Sequence, residues 1–572
     1  MKWAVAYLSG ISSSVLTAVI LAAFLGGLNK LVSFSSILAG LICAVFIIIK
    51  YPKLSGDLAK KDFGFWSYAT IIFFIIFSLR SFLWLIFKKG DTIQVLNPHN
   101  FGDIALHITY IKYLANGVSF WPDNPILAGE KIHYPIGIDL FNSLLILCGM
   151  DLIQSLVWAS LLSSACTLMA LLIWGRAFTL AGFLFNGGIA VAYLFFKTHQ
   201  FVDHNWEIAW KSIPLTLFVT QRGFLYAIPA GLLLLSGWRK RFFNNESAKG
   251  NILPFWVEVL LYSTMPIFHM HTFIYLSFLL CFWIIFANDN VRHQVLSLIK
   301  SSLVPAMFFI ACMTGFFKGF SIVHLHPGWE QNNQNFFYFW LWNFGIFLPL
   351  AILLCLKLVA GKEKILNRNT AFVYPAVLIF ILCCFVMFHP NNWDNIKLFM
   401  WSYLILLPFI WENLISKWDM LVKYAVCFLL FVSGFISIVE AIDSKHRGNE
   451  LFKLSEVREV EHAVKYIPIK YRFASYPTFN HPLLYSGRKV VMGYAGHLWV
   501  HGFSYGEVEQ KLKRLMLGDP DWQKLARELD VRYIFWGERE KHEYATSSKP
   551  WETSATKIAS GGWGEIWDLG LN

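Results

Sequence analysis

The sequence predicts an α-helical polytopic membrane protein with a small C-terminal α/β domain outside the bilayer. Three observations predict it. Of 572 residues, 56% are hydrophobic, 17% aromatic and only 15% charged, a composition that excludes an ordinary soluble globule. Apolar segments recur from Trp3 to about Ala441 and then stop. Beyond them, residues 442–572 return to ordinary composition and alternate short β-rich runs with amphipathic helices.

Candidate spans are 4–26, 31–49, 66–87, 152–174, 178–196, 215–237, 252–268, 271–287, 302–317, 338–359, 371–388, 398–412 and 420–441, about thirteen crossings. Several fall short of the roughly 20 residues that a perpendicular helix needs, so tilted or broken helices are expected there. The first segment lacks a cleavage pattern and reads as a retained helix. With Met1 cytoplasmic, the basic connections Lys50–Lys61, the Arg176 turn, Arg239–Lys249, Arg292–Lys300, Lys362–Arg368 and Lys417–Lys423 all fall inside, as charge asymmetry of loops requires.

The same parity places 88–151, Lys197–Pro214, His269–His271, Lys318–Phe337, His389–Lys397 and the tail outside. These connections carry His, Asp, Asn and Trp instead of basic runs. Within 88–151, Tyr134–Met150 is expected to lie on or dip into the interface, because Pro135, Gly137, Asp139 and Asn142 interrupt its apolar face. The chain therefore divides into an N-terminal helix pair (1–65), a membrane core (66–441) and a C-terminal α/β domain (442–572).

In the tail, RKVVMGY and VRYIFWG read as strands, YGEVEQKLKRLML and DWQKLARELD as helices, and SGGWGEIWDL as a last turn and strand. MGYAGHLWVHG has no dinucleotide-binding spacing; it reads as structural turns, or else as a loop folded over a membrane site. The nine cysteines all lie in apolar segments, with none in the tail, so no disulfide framework or CxxC metal signature is present. The formal charge of +12 is dispersed among the spans and gives no nucleic-acid face.

The most polar stretch beside an apolar segment is HNFGDIALHITYIKYLANGVSFWPDNPILAGEKIHYPIGIDL, His99 to Leu140. Ionisable groups in lipid cost about 2.5 to 3.5 kcal/mol or more each, so this loop reads as one that carries chemistry at a membrane face. GDIALHITYIKYLANG followed by NPILAGEKIHYPIG resembles the first outer loop of the GT-C membrane glycosyltransferases, which take sugars from polyprenyl-phosphate carriers. The resemblance covers roughly residues 66–440. It departs from the family in three respects: the acidic loop follows the third span, no DxD is present, and WWDYG is reduced to the faint echo NNWDN at Asn391–Asn395.

The resemblance implies a transferase acting with inversion, Asp103 as general base, and a sugar donor and membrane lipids as partners. The acceptor would be a glycan, lipid or protein hydroxyl outside the plasma (inner) membrane; the oligomeric state is unknown. Asp103 could alternatively cap a helix beginning at Ile104. His107, at i+4, would orient that carboxylate or contact phosphate. Arg222, a guanidinium within an apolar span, and Lys397, three residues after Asp394, are the candidates for donor phosphate, with Asp394 orienting Lys397 and counted among the substrate contacts; snorkelling and interface marking are the alternatives. In the second outer loop, Asp203, His204 and Glu207 are candidate substrate contacts, as are His269 and His271 in FHMHTF. No metal site is assigned; the absent DxD argues against one, although a divalent ion is compatible with the fold. A transporter or flippase, or a lipid-linked glycan ligase, would use the same polar residues. No internal repeat of the kind common in transporters is visible.

Overall fold

The computed structural model describes residues 1–52, 54, 64–198, 208–243, 253–315, 323–361, 366–442 and 448–571. The chain opens with α1 (Lys2–Phe24) and α2 (Lys30–Lys50), the second started by Asn29, whose side chain accepts the Val32 N–H. The two cross at glycines. A Cβ on Gly40 would collide with Ser14 and stand 2.5 Å from the Gly10 carbonyl oxygen. Through Ser12, hydrogen-bonded at 2.6 Å to Tyr226, α1 is tied into the bundle, whereas α2 leaves Leu31, Phe34, Leu41 and Ile42 exposed.

After α3 (Phe65–Leu83) comes a hairpin of β1 (Ile86–Lys89) and β2 (Thr92–Val95), then α4 (Phe101–Ala115) and α5 (Gly137–Leu147), both too short to span. Helix α5 covers the middle of the stretch Tyr134–Met150 and packs against α4. Next, α6 (Leu152–Leu184), capped by Asp151, is broken at Gly175 and Arg176, the expected turn between spans 152–174 and 178–196. The second of these is itself interrupted before α7 (Ala190–Thr198). Asn186 causes the break: its side chain donates to the Lys211 carbonyl and accepts the Ile213 N–H, substituting for helix continuation.

Span 215–237 is also broken. A π-helical turn, Ile213–Phe218, leads into a short non-helical passage before α8 (Phe224–Phe243). Then follow α9 (Phe255–Ser263), α10 (Met265–Phe268), α11 (Met270–Phe286), α12 (Asp289–Met313) and β3 (His324–Leu325). The bundle closes with α13 (Phe336–Phe344), α14 (Phe347–Ala360), α15 (Thr370–Cys383), β4 (Val386–Met387), α16 (Ile396–Asn413) and α17 (Met420–Ile442). Among the described residues, seven helices are long and apolar enough to cross a membrane. An eighth is reached if α13 and α14, bent by 92°, count as one. The remaining expected crossings correspond to shorter apolar helices or broken ones.

The tail contains β5 (Asn449–Lys453), α18 (Leu454–Ala463), β6 (Arg472–Ala474), α19 (Pro482–Tyr485), β7 (Lys489–Val490) and α20 (Ala495–Val500). After these come α21 (Gly506–Leu517), α22 (Trp522–Glu528), β8 (Val531–Gly537), α23 (Glu538–Glu543), α24 (Trp551–Ser554), β9 (Thr556–Gly561) and β10 (Gly564–Asp568). Five strands form one sheet in the order β7-β6-β8-β10-β9, parallel on the β7-β6-β8 side and antiparallel on the other. The tail is sewn to the 88–151 loop at several points, among them backbone hydrogen bonds that pair Val490, Val491 and Gly493 with Pro125, Ala128 and Ile126, respectively. Strand β5 pairs antiparallel with β2, and Gly487, at φ +70°, lets the chain pass so close to α4 that a Cβ would stand 2.5 Å from the Lys112 carbonyl oxygen.

The Gly10–Gly40 crossing yields a direct test. Gly40→Leu should lower the thermal midpoint of detergent-solubilised protein by several degrees by prising α2 from α1, whereas Gly506→Ala, which meets open space, should not.

Candidate active site

A cavity of about 770 Å³ opens where the outer loop, the ends of the central helices and the tail meet. One wall comes from the turn before α4, α4 itself and the passage leading to α5: His99, Asp103, Leu106, His133 and Tyr134. A second comes from the helix starts and connections of the bundle, with Phe268, His269, His271, His389, Asp394 and Lys397. The third comes from the tail, with His497, Trp499, His501 and Gly502. The segment MGYAGHLWVHG therefore folds over the membrane site, the second of its two sequence readings.

Asp103 sits in the first turn of α4, which starts at Phe101, three residues earlier than expected; it is not the N-cap, that position being Asn100. Its carboxyl faces the cavity, and burial raises its pKa from 3.8 to about 6. His107 and Lys397 act against that rise and Asp394 adds to it, so the carboxylates of two walls feel one another across the cleft.

His107 lies one turn further along α4, as its spacing required, but it does not orient Asp103 directly. Its Nδ1 is 2.9 and 3.0 Å from the two oxygens of Asp139 on α5, both residues being 2% exposed or less. Arg222 is a second correction. It lies in the break before α8, 1% exposed, with Nε 3.9 Å from Asp139 Oδ1 and Nη1 donating to Ser160 at 3.3 Å. The broken helix turns it behind the cleft wall, so its neighbours Gln221 and Gly223 line the cavity and it does not.

Lys397 opens α16 and donates to Asp394 Oδ2 at 2.8 Å; His389 Nδ1 stands 3.0 Å from the same oxygen. His269 caps α11: its Nδ1 accepts the Thr272 N–H at 3.1 Å, so the neutral ring carries its proton on Nε2. His271 packs 5.6 Å from the His389 ring, and its Nε2 is buried without a hydrogen-bond partner. Burial lowers His389 and His497 to about 4, so at neutral pH both are uncharged hydrogen-bonding groups. The cleft thus sets the Lys397 and Lys211 ammonium groups and several imidazoles around the carboxyl groups of Asp103, Asp394 and Glu330, a set suited to holding an anion while one carboxylate takes a proton.

Asp203, His204 and Glu207 lie outside the described residues. Sequence reasoning passed over Glu330, His389, His497 and His501 as site members. For the last two a signal was available, since i, i+4 spacing in HLWVH puts both rings on one helical face. Among the described residues no group of three or more His, Cys, Asp or Glu is arranged to hold a metal.

The raised carboxyl has a sign that can be checked. Because the folded pKa of Asp103 lies above its unfolded value, the folded state loses stability as pH rises from about 4 through about 6. Asp103→Asn should therefore have a higher thermal midpoint than wild type at pH 7.5, with the gap closing by pH 4.

No family model matches the chain, and none of the curated proteins matches it. Among solved structures it is similar to the archaeal oligosaccharyltransferase AglB from Archaeoglobus fulgidus in complex with an inhibitory peptide and a dolichol-phosphate. That likeness has 11% identity, covers 84% of this chain and 71% of that one, and has a TM-score of 0.39. It is also similar to an Archaeoglobus fulgidus oligosaccharyltransferase tethered to an acceptor peptide containing the NVT sequon, at 13% identity, 89% and 74% coverage and a TM-score of 0.41.

Proposed function

We propose that this chain is an integral membrane glycosyltransferase that moves a sugar from a polyprenyl-phosphate donor to an acceptor hydroxyl. The observation that carries the reading is the meeting of Asp103 and Lys397 in one cleft. A sugar on phosphate brings its own leaving group, so the protein has to hold the departing anion and take one proton. Asp103, ionised above about pH 6, accepts the proton of the acceptor hydroxyl as that oxygen bonds to the anomeric carbon. The bond from this carbon to the phosphate oxygen breaks in the same displacement. Its electron pair stays on the phosphate and the anomeric configuration inverts.

Lys397 holds the phosphate. Asp394 uses one of its three N–H donors and fixes the ammonium, leaving the others for the ligand. His269 and His271, in the same cleft, add imidazole contacts. Arg222 takes the supporting role of holding Asp139. No residue is assigned to a divalent ion. The distribution of Lys and Arg supports a cytoplasmic N-terminus and a cleft on the extracytoplasmic side of the plasma (inner) membrane.

In proteoliposomes given a labelled polyprenyl-phosphate sugar and membrane extract as acceptor, wild type should form glycosylated product at a rate that climbs with pH through about 6. Asp103→Asn should cut this by about 100-fold or more while staying folded, and Lys397→Ala should chiefly raise the donor KM. Solute flux with no glycosyl product would instead favour a transporter and sink the proposal.

A further inference from the structure

We propose that the cleft-facing segment of the tail forms a saccharide subsite, with the Trp499 indole as the surface on which a sugar ring stacks and His501 as a contact for its hydroxyls. The proposal rests on the transferase reading and names part of the substrate that the cleft takes. The segment is pinned on several sides. Leu498 is fully buried, and His501 packs on Tyr134 with ring centroids 4.8 Å apart. The Phe503 ring stacks 5.0 Å from His133. Gly502, at φ +76°, brings the backbone so near the bundle that a Cβ there would lie 3.2 Å from Pro390.

Within this fixed frame Trp499 is left open: it lines the cavity, is 51% exposed and has no ring partner among the described residues. An indole presents a broad apolar face of negative potential, complementary to the C–H face of a pyranose ring. Two buried imidazole nitrogens in the same cavity, His501 Nδ1 and His271 Nε2, have no hydrogen-bond partner, an expensive state unless a ligand supplies one. A hydroxyl both donates and accepts, so it satisfies either nitrogen in whichever tautomer the ring holds. Glu330 and Asn391 line the same space and extend the polar contacts to further hydroxyls.

The placement also suits the chemistry. His497, two residues before Trp499, has its Nε2 3.7 Å from the point where a Cβ on Gly102 would stand, immediately before Asp103 in the chain. Trp499 and Asp103 line the same cavity, so a ring on Trp499 is held in the space that the proposed base faces. The cavity of about 770 Å³ has room for this ring together with a phosphate at Lys397.

The test uses the full chain in nanodiscs and saturation-transfer difference NMR with methyl glucoside, methyl galactoside and methyl mannoside at millimolar concentration. At least one should receive saturation on its ring-face protons. Trp499→Ala should reduce this by about five-fold or more, the size of one aromatic contact, and Trp499→Phe should largely keep it. Excess polyprenyl-phosphate glucose should leave the signal in place if the ring belongs to a glycan acceptor and displace it if the ring is the donor's own sugar; either outcome supports the subsite. No saturation of any glycoside, or equal signals in wild type and Trp499→Ala, would overturn it. Trp499-dependent binding by a chain that transfers no sugar would retain the subsite and remove the transferase; transfer with unchanged KM values in Trp499→Ala would do the reverse.

Discussion

One buried carboxylate, Asp139, holds together the elements that place the cleft. It lies between His107 of α4 and Arg222 in the break before α8, all three at 2% exposure or less. Charges so deep are costly to desolvate and persist only when they compensate one another. Taking away Asp139 would leave the His107 imidazole without its hydrogen-bond partner and the Arg222 guanidinium, 3.9 Å away, without its compensating charge. The group thereby fixes how α4 and α5 sit on the helix bundle, and α4 carries Asp103 one turn before His107. The orientation of the proposed base is set from behind, by residues that never reach the cavity.

The opposite wall is built by a different device. Lys397 and His389 converge on Asp394 at the start of α16, where the chain leaves the β4 connection. The tail then completes the enclosure: β5 joins β2, α20 covers the mouth, and His501 and Phe503 rest on Tyr134 and His133. Three parts of the sequence, separated by hundreds of residues, thus share one polar volume. The C-terminal sheet is a structural partner of the outer loop as much as a unit of its own.

Much of this was legible in the sequence because membrane burial is a one-dimensional constraint. An apolar run must cross or lie on the bilayer, and a polar loop beside it stands out, so the helical body, the α4 and α5 segments and the β8 strand could be read directly. Asp103 and the Asp394–Lys397 pair stood out as ionisable groups beside apolar runs. The breaks did not. Asn186 halts a helix through hydrogen bonds to residues some 25 positions away, and a hydropathy pattern carries no trace of such a partner. Arg222 was misplaced for the same reason: on a continuous helix it would face a lipid phosphate, but the interrupted backbone turns it toward Asp139. Strands β6 and β7 are too short to show a period of two, and α20 is a short helix among glycines whose apolar pattern cannot reveal what it covers.

The central claim is that proton acceptor and anion holder share one enclosed space under the tail. A cryo-EM map of the chain in nanodiscs with bound polyprenyl phosphate tests it most directly. The account predicts phosphate density at Lys397 Nζ, with Asp103 and α20 lining the same cavity. Phosphate bound at Arg222, or a tail lifted away so that Asp103 and Lys397 face separate surfaces, would contradict it.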